Sequence, residues 1–250
     1  MEIRYHFIGI GGIGMSGIAR LYRSRGFPVS GSDLKETEIT RQLRRCGMEV
    51  FIGHRAQNLG AAQRVVYSAA IRDENPEMQA ARQKGIPLLR RAQALAELMA
   101  GKNVITVTGS HGKTTTSSLI SYLLLEAGLN PTAAIGGIVR NIDSNACAGD
   151  GEFFVAEADE SDGSFLYYRP RYSVITNIDR EHLDYYGYFR REVELFREFI
   201  SYTEEGGCVF ACSDDANLKE IAAACGRRYV LFGLRDGAAL CARNIRLQGL

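Results

Sequence analysis

The chain has 250 residues, a length that predicts one large domain or two of ordinary size. A hydrophobic share of 46% and a charged share of 24% are those of a globular protein with ample apolar material for a core. The formal net charge of +1 gives no electrostatic reason to expect nucleic acid or an anionic membrane surface as a partner. The sequence has no signal-like N-terminus and no run of about eighteen apolar residues, so we expect no membrane insertion.

The six cysteines are scattered and form no C-x-x-C pair. Cys208 and Cys212 are the nearest two along the chain, and they lie in the apolar run CVFAC. This usage favours buried thiols in a reducing compartment over structural zinc or disulfides. We therefore expect a cytoplasmic protein.

The first hundred residues alternate short apolar runs with helical patterns, which is typical of a parallel α/β sheet. The predicted strands are YHFIGI, PVSGS, MEVFI, RVVYS and IPLL. The segment NPEMQAARQKG predicts a helix that begins near Pro76 and stops at Gly85.

A second α/β series begins at NVITVTGS and continues through the predicted strands FFVAEA, SVITN, GCVFAC and RYVLF. Each series has its own glycine-rich turn after its first strand. We therefore predict two domains, 1–99 and 100–250, divided near Met99 to Lys102. The last residues, ARNIRLQGL, predict a further strand without a cap or polar tail, so we expect the chain to be part of a longer protein.

The first glycine turn, in FIGIGGIGMSG, places Gly9, Gly11 and Gly14 in the G-x-G-x-x-G spacing between a strand and a helix. Glycines let the backbone approach a pyrophosphate at the helix N-terminus. Asp33 follows Gly14 by nineteen residues, where an acid meets a ribose hydroxyl. The alternative is a turn that only packs a helix on a sheet. From the pattern alone, NAD is the default ligand.

The second glycine turn is VTGSHGKTTT, residues 107–116, and it ends like a phosphate-binding loop. It is shorter than the usual G-x-x-x-x-G-K pattern, because Gly109 precedes Gly112 by only three residues. Lys113 supplies a positive charge for phosphate, and Thr114 supplies a hydroxyl suited to Mg²⁺. A lysine in a first helical turn is unfavourable unless an anion binds there. The turn therefore predicts phosphate binding.

Two acidic segments follow predicted strands of the second series. Glu157 ends the strand FFVAEA and opens EADESD, where the alternative is a solvated acidic loop. His182 lies among acids in IDREHLD, where the alternative is an exposed histidine paired with them. Oxygen ligands suit Mg²⁺, and the carboxyl ends of parallel strands are where α/β sheets place their ligands.

Several segments together resemble the Mur ligases of peptidoglycan synthesis. They most closely resemble the members that add L-alanine to UDP-N-acetylmuramate. The likeness covers nearly the whole chain, and these ligases have a similarly short T-G-x-x-G-K-T loop. The segments are, in order, HFIGIGGIGMSGIA, GSD, GH, VVYSAAI, NPE, TGSHGKTTT, EADESDGSF and TNIDREHLDYYG.

The resemblance implies a Rossmann-like UDP-binding domain followed by a P-loop-type α/β ATP-binding domain that is incomplete at its C-terminus. It also implies that the family's C-terminal amino-acid-binding domain is absent, so we expect no ligation by the chain alone. The residues implied for the UDP-substrate are Gly9, Gly11, Gly12, Gly14, Asp33, His54 and Ser68. Those implied for ATP are Gly109, Ser110, His111, Gly112, Lys113, Thr114 and Thr115. Those implied for Mg²⁺ are Thr114, Glu157 and His182, and the implied catalytic residues are Lys113, Glu157 and His182.

The implied reaction joins L-alanine to the lactyl carboxylate of UDP-N-acetylmuramate through an acyl phosphate, with ATP and Mg²⁺ as cofactors. The implied partners are thus UDP-N-acetylmuramate, L-alanine and ATP. Three alternatives stay open. A related ligase would recycle muropeptides onto the same UDP-sugar. A dehydrogenase would bind NAD at the first turn. A non-catalytic module would bind nucleotide only.

Overall fold

The structure is a computed structural model that describes residues 3–139, 144–179 and 188–246. It divides into two compact units. The first comprises Met1–Lys102 and Ser121–Phe154, and the second comprises Asn103–Ile120 and Val155–Leu250. Both contain parallel strands and helices, which confirms the predicted α/β class. The proposed domain boundary near residue 100 stays a prediction.

The described strands and helices are numbered in chain order. The strands are β1 (Tyr5–Ile8), β2 (Val29–Asp33), β3 (Glu49–Ile52), β4 (Arg64–Tyr67), β5 (Leu88–Arg90), β6 (Asn103–Thr108), β7 (Thr132–Val139), β8 (Ser144–Cys147), β9 (Phe153–Glu157), β10 (Tyr172–Ile175), β11 (Cys208–Cys212), β12 (Tyr229–Gly233) and β13 (Leu240–Cys241). The helices are α1 (Ile13–Ser24), α2 (Glu38–Arg45), α3 (Pro76–Gln83), α4 (Arg91–Met99), α5 (Lys113–Glu126), α6 (Phe189–Ser201) and α7 (Ala216–Ala224).

The first unit contains a five-stranded sheet in the order β3-β2-β1-β4-β5. All its pairings are parallel, with β1 at the centre between β2 and β4. Each strand overlaps one of the apolar runs from which it was predicted. Because the strands are parallel, their carboxyl ends share one edge, and the residues after β1, β2, β3 and β4 meet there.

Helix α3 begins where the sequence predicts it. The Asn75 side chain accepts hydrogen bonds from the amides of Glu77 and Met78, and Pro76 occupies the first helical position. An amide is not needed at that position, so proline costs nothing there. The chain leaves the helix through Gly85, whose φ of +64° favours glycine.

An antiparallel hairpin of β7 and β8 belongs to the first unit and was not predicted. The Asn145 side-chain amide in β8 donates to the Ile13 carbonyl and, over 3.2 Å, to the Ser16 hydroxyl of α1. Residues 132–135 of β7 are buried. Small residues dominate this strand, so its sequence carries a weak strand signal.

The strands of the second unit follow the order β13-β12-β11-β10-β6-β9. The pairings of β10 with β6 and β11, and of β12 with β11 and β13, are parallel. Predicted strands again coincide with β6, β9, β10, β11 and β12. The final prediction is wrong for its described part, because residues 242–246 form no strand and Asn244 has a φ of +54°.

Each unit has its own core. In the first, Tyr5, Tyr22 and Phe27 form an aromatic cluster, and the buried Tyr22 hydroxyl donates to the Ala94 carbonyl over 3.0 Å. In the second, Phe165 packs against residues of α6. All six cysteines are unpaired thiols. Within the described ranges, no helix combines the length and apolarity needed to cross a membrane.

Candidate functional site

The first glycine turn joins β1 to α1. Its Gly9 has a φ of +80°, and the amides of Gly9 and Ile10 donate to the Ser32 carbonyl over 2.8 and 3.0 Å. The Gly11 amide donates to Asp33 Oδ2 over 2.8 Å. A Cβ atom at residue 11 would lie 2.8 Å from that same oxygen. Glycine at this position therefore lets the Asp33 carboxylate come close to the backbone of the turn.

The other residues implied for the UDP-substrate lie at the same edge of the sheet. His54 follows β3, and Ser68 follows β4 and donates its amide to the Ile8 carbonyl over 3.3 Å. Gly12 precedes α1 in extended conformation, and its amide donates to the Gly9 carbonyl. The predicted residues of the first site are therefore brought together.

Sequence reasoning missed two charged residues at this edge. Arg91 begins α4, and its Nη1 atom would lie 2.6 Å from a Cβ atom at Gly14, which places the guanidinium at the first turn of α1. Glu77 is fully buried, and its carboxylate lies 3.3 Å from His54 Nδ1. For Arg91, the sequence signal was a cation at the start of a helix, where positive charge is unfavourable unless an anion binds. For Glu77, it was an acidic residue on the buried face of a helix.

The second glycine turn joins β6 to α5. Gly109 has a φ of +125° and Gly112 a φ of +82°. A Cβ atom at residue 109 would lie 2.7 Å from the backbone oxygen and 2.9 Å from the backbone nitrogen of Asn177. Backbone atoms cannot move aside as a side chain can, so residue 109 must be glycine in this arrangement.

Residues after β10 hold the turn in place. The His111 amide donates to Asn177 Oδ1 over 2.8 Å, and the Thr176 hydroxyl donates to the His111 carbonyl over 2.6 Å. The Asp179 amide donates to the Ser110 hydroxyl over 2.8 Å. The sequence placed Asn177 at a strand end, but it gave no sign of this bracing role.

Lys113 lies in the first turn of α5, and its ammonium folds back over the loop. It donates to the Gly109 carbonyl over 2.7 Å and forms a 2.7 Å ion pair with Glu160. Glu160 is fully buried and also accepts from the Thr108 hydroxyl over 3.4 Å. Sequence reasoning grouped Glu160 with the acidic loop and preferred Glu157, so this partner of the lysine was missed.

Thr114 and Glu157 form the predicted pair of oxygen donors. The Thr114 hydroxyl lies 3.0 and 3.1 Å from the two carboxylate oxygens of Glu157. A hydroxyl and a carboxylate are ligands that Mg²⁺ accepts, so these residues fit the cation. Thr115 follows in the same turn of α5. His182 lies outside the described residues, so its place near the metal stays a prediction.

Comparison with known families agrees with this geometry. Residues 4–103 match the model described as Mur ligase family, catalytic domain. Residues 107–249 match the model described as Mur ligase middle domain. The second match alone covers more than half of the chain.

Curated relatives and solved structures give the same result. The UDP-N-acetylmuramate–L-alanine ligase of Aquifex aeolicus is 46% identical over 98% of this chain and 54% of its own length. The structure of UDP-N-acetylmuramate-alanine ligase MurC from Thermotoga maritima matches with a TM-score of 0.84 and 33% identity, over 94% of this chain and 53% of that one.

A ligase named for a different amine also matches. It is the UDP-N-acetylmuramate:L-alanyl-gamma-D-glutamyl-meso-diaminopimelate ligase from Neisseria meningitides, with a TM-score of 0.86 and 29% identity, over 93% of this chain and 78% of that one. The chain spans about half the length of the curated relatives it matches. With both family models matched in order along its length, the chain belongs to the Mur ligase family.

Proposed function

We propose that the chain supplies the UDP-sugar-binding and ATP-binding parts of a ligase that joins L-alanine to the lactyl carboxylate of UDP-N-acetylmuramate. Relatives 46% and 49% identical to it over 98% of its length carry the name of that activity. The observation that carries the proposal is the arrangement at the N-terminus of α5. There Lys113 and Thr114 each meet a carboxylate, from Glu160 and Glu157 respectively.

At the first turn, the UDP pyrophosphate would bind the free amides at the N-terminus of α1. The Arg91 guanidinium beside Gly14 would add positive charge on the same side of the turn. Asp33, already at the turn, would face a ribose hydroxyl. These contacts favour a nucleoside diphosphate, and membership of the Mur ligase family favours UDP over NAD.

At the second turn, the backbone from Gly109 to Thr115 would hold the ATP phosphates. Lys113 would exchange the Gly109 carbonyl for a phosphate oxygen and keep a negative neighbour in Glu160. Thr114 and Glu157 would hold one Mg²⁺, and His182 would help to hold a second. Bound Mg²⁺ supplies neutralisation of phosphate charge.

The reaction would proceed in two steps. A lactyl carboxylate oxygen attacks the γ-phosphorus, the bond to ADP breaks, and an acyl phosphate forms. The L-alanine nitrogen then attacks the acyl carbon, inorganic phosphate leaves, and the nitrogen loses a proton. Lys113 would lie where negative charge accumulates on the transferring phosphoryl group, so its contribution would be electrostatic. Neither step requires a nucleophilic side chain.

Calorimetry tests the binding part of the proposal. UDP-N-acetylmuramate, Mg-ATP and NADH are titrated separately into the purified chain. We expect heat from UDP-N-acetylmuramate and Mg-ATP but not from NADH. Tight NADH binding without UDP-N-acetylmuramate binding would overturn the proposal in favour of a dehydrogenase.

The muropeptide ligase is the second candidate, because the Neisseria structure matches with a TM-score of 0.86. The higher identity of the L-alanine ligases favours L-alanine as the amine. Product formation by a ligase that contains this chain and the remaining length of its relatives distinguishes the two candidates, when each amine is supplied separately. We expect product from L-alanine and none from L-alanyl-γ-D-glutamyl-meso-diaminopimelate. No product from either amine would favour the nucleotide-binding module.

A further inference from the structure

A buried carboxylate lies behind the edge of the first sheet. Glu77, in the first turn of α3, is fully buried, and its Oε2 atom faces two histidines. His6 Nε2 lies 3.5 Å away and His54 Nδ1 lies 3.3 Å away. His6 is itself fully buried in β1, whereas His54 retains an exposed fraction of 9% at the edge that carries the glycine turn.

The two oxygens of Glu77 have different partners. Oε1 accepts from the Asn58 side-chain amide over 2.6 Å and from the Arg55 backbone amide over 3.2 Å. Oε2 accepts from the Ser32 hydroxyl over 2.5 Å. Both partners of Oε1 are N–H groups that can only donate, so an acceptor atom is required at that position.

The Ser32 hydroxyl fixes the tautomer of His54. Ser32 has one hydroxyl hydrogen and gives it to Glu77, so toward His54 Nδ1, 2.9 Å away, Ser32 Oγ can only accept. His54 Nδ1 therefore carries a hydrogen. In the neutral ring, Nε2 then has a free lone pair and acts as an acceptor.

The ionised state of Glu77 keeps this arrangement in force. Burial by itself would raise the pKa of Glu77, but hydrogen bonds from His6 and Ser32, the charge of His6 and the hydrogen bond from Asn58 outweigh it and lower the pKa to about 2. The carboxylate is thus an acceptor at physiological pH, and the Ser32 hydroxyl donates its hydrogen to Glu77.

We propose that Glu77 and Ser32 are positioning residues that hold His54 as its Nδ1–H tautomer, so that Nε2 accepts a hydrogen bond from the bound nucleotide. The donor would be a ribose hydroxyl or the imide N–H of the base. This inference rests on the proposed function, since it takes the nucleotide to be the UDP-sugar. Glu77 touches no substrate and acts through Ser32 and His54.

One substitution should reverse the hydrogen bonds. In Glu77→Gln, the donors Asn58 and Arg55 require the glutamine oxygen at the Oε1 position, which leaves the amide NH₂ facing Ser32. Ser32 then accepts from the glutamine and donates to His54 Nδ1. His54 becomes the Nε2–H tautomer and presents a donor where the nucleotide also has a donor.

Histidine ring nitrogens in ¹⁵N-labelled protein report the tautomer directly, and the chain has only four histidines. His54→Gln identifies the His54 signals. We expect Nδ1–H in the wild type, Nε2–H in Glu77→Gln, and no change in the control Glu74→Gln, whose side chain is exposed. An Nε2–H tautomer in the wild type would overturn the inference even if Glu77→Gln does not fold.

Nucleotide binding provides the second readout. We expect UDP-N-acetylmuramate to bind Glu77→Gln about tenfold more weakly than the wild type, the effect of one lost hydrogen bond. Comparing UDP with 2′-deoxy-UDP and N3-methyl-UDP shows which donor meets Nε2. A flipped tautomer with unchanged UDP-N-acetylmuramate affinity would overturn the inference and leave the proposed function intact. Failure of the wild type to bind UDP-N-acetylmuramate would instead overturn the proposed function, and the tautomer measurement would still stand.

Discussion

The two glycine turns have the same local plan, a parallel strand followed by a turn and a helix, but they acquire their charge differently. At the first turn, charged groups come from distant parts of the chain, as Asp33 bonds to Gly11 and Arg91 lies against Gly14. At the second turn, the charge is part of the motif itself, in Lys113.

The surroundings of the turns differ in the same way. Gly109 lies against the backbone of Asn177, whereas Gly11 lies against the side chains of Asp33 and Thr40. The second turn is therefore held rigidly by neighbouring backbone and has its cation in place, as the proposed phosphoryl transfer would require of a preorganised site. The first turn is bounded by side chains that can adjust to a ligand. Three substitutions test this contrast, and an acid titration tests the buried Glu77 of the first unit.

The largest effect is expected from Lys113→Ala, measured in a ligase that contains this chain and the remaining length of its relatives. The substitution removes the charge that the proposed mechanism places beside the transferring phosphoryl group, and losing one such partner lowers rates by about 10²–10³. The turnover rate with saturating L-alanine should fall by at least that factor. Lys219→Ala, an exposed lysine of the same unit, should change nothing. A rate within about threefold of the wild type would contradict the phosphate role.

Acid should weaken the first unit through Glu77. Its folded pKa of about 2 lies below the usual 4.5, so the ionised group stabilises the fold above about pH 4.5, and this stabilisation is lost as the pH falls toward 2. The full effect is on the order of 3 kcal/mol. Urea unfolding should show Glu77→Gln to be less stable than the wild type near neutral pH, with a difference that shrinks on acidification. A difference independent of pH would show that charge is not involved.

Gly109→Ala tests the rigidity of the second turn. Alanine would have to adopt a φ of +125° with its Cβ atom 2.7 Å from a backbone oxygen, so the loop must rebuild. Strain of this kind costs on the order of 1–3 kcal/mol. Thermal unfolding and Mg-ATP titration should both show the loss. Gly206→Ala is the control, because nothing lies within 4 Å of its Cβ position.

Local sequence patterns predicted the elements that hold both sites. β-branched runs located the strands, and Asn75 with Pro76 located the start of α3, because these signals depend on neighbouring residues. The hairpin of β7 and β8 was not predicted, because it is stabilised by contacts between residues far apart in sequence, such as that of Asn145 with α1.

The same distinction applies to the sites. The glycines, Lys113, Thr114 and Glu157 could be found from spacing, since each lies at a strand end or a helix start. Glu160, Glu77 and Arg91 were missed, because what singles them out is packing against residues 47, 45 and 77 positions away in sequence. For Glu160, the pattern identified an acidic loop, but only packing decides which of its carboxylates is buried against a lysine.

The smallest effect is expected from Gly11→Ala. The added Cβ atom would lie 2.8 Å from Asp33 Oδ2 and 3.0 Å from Thr40 Cγ2, and a carboxylate at the end of a side chain can rotate away. The free energy of unfolding should therefore fall by about 1 kcal/mol or less, in the range of a minor packing change. UDP-N-acetylmuramate affinity should still fall, because the displaced Asp33 no longer accepts from the Gly11 amide. Thermal unfolding and calorimetry on this variant separate the two effects. A destabilisation as large as that of Gly109→Ala would contradict the contrast between an adjustable first turn and a rigid second one.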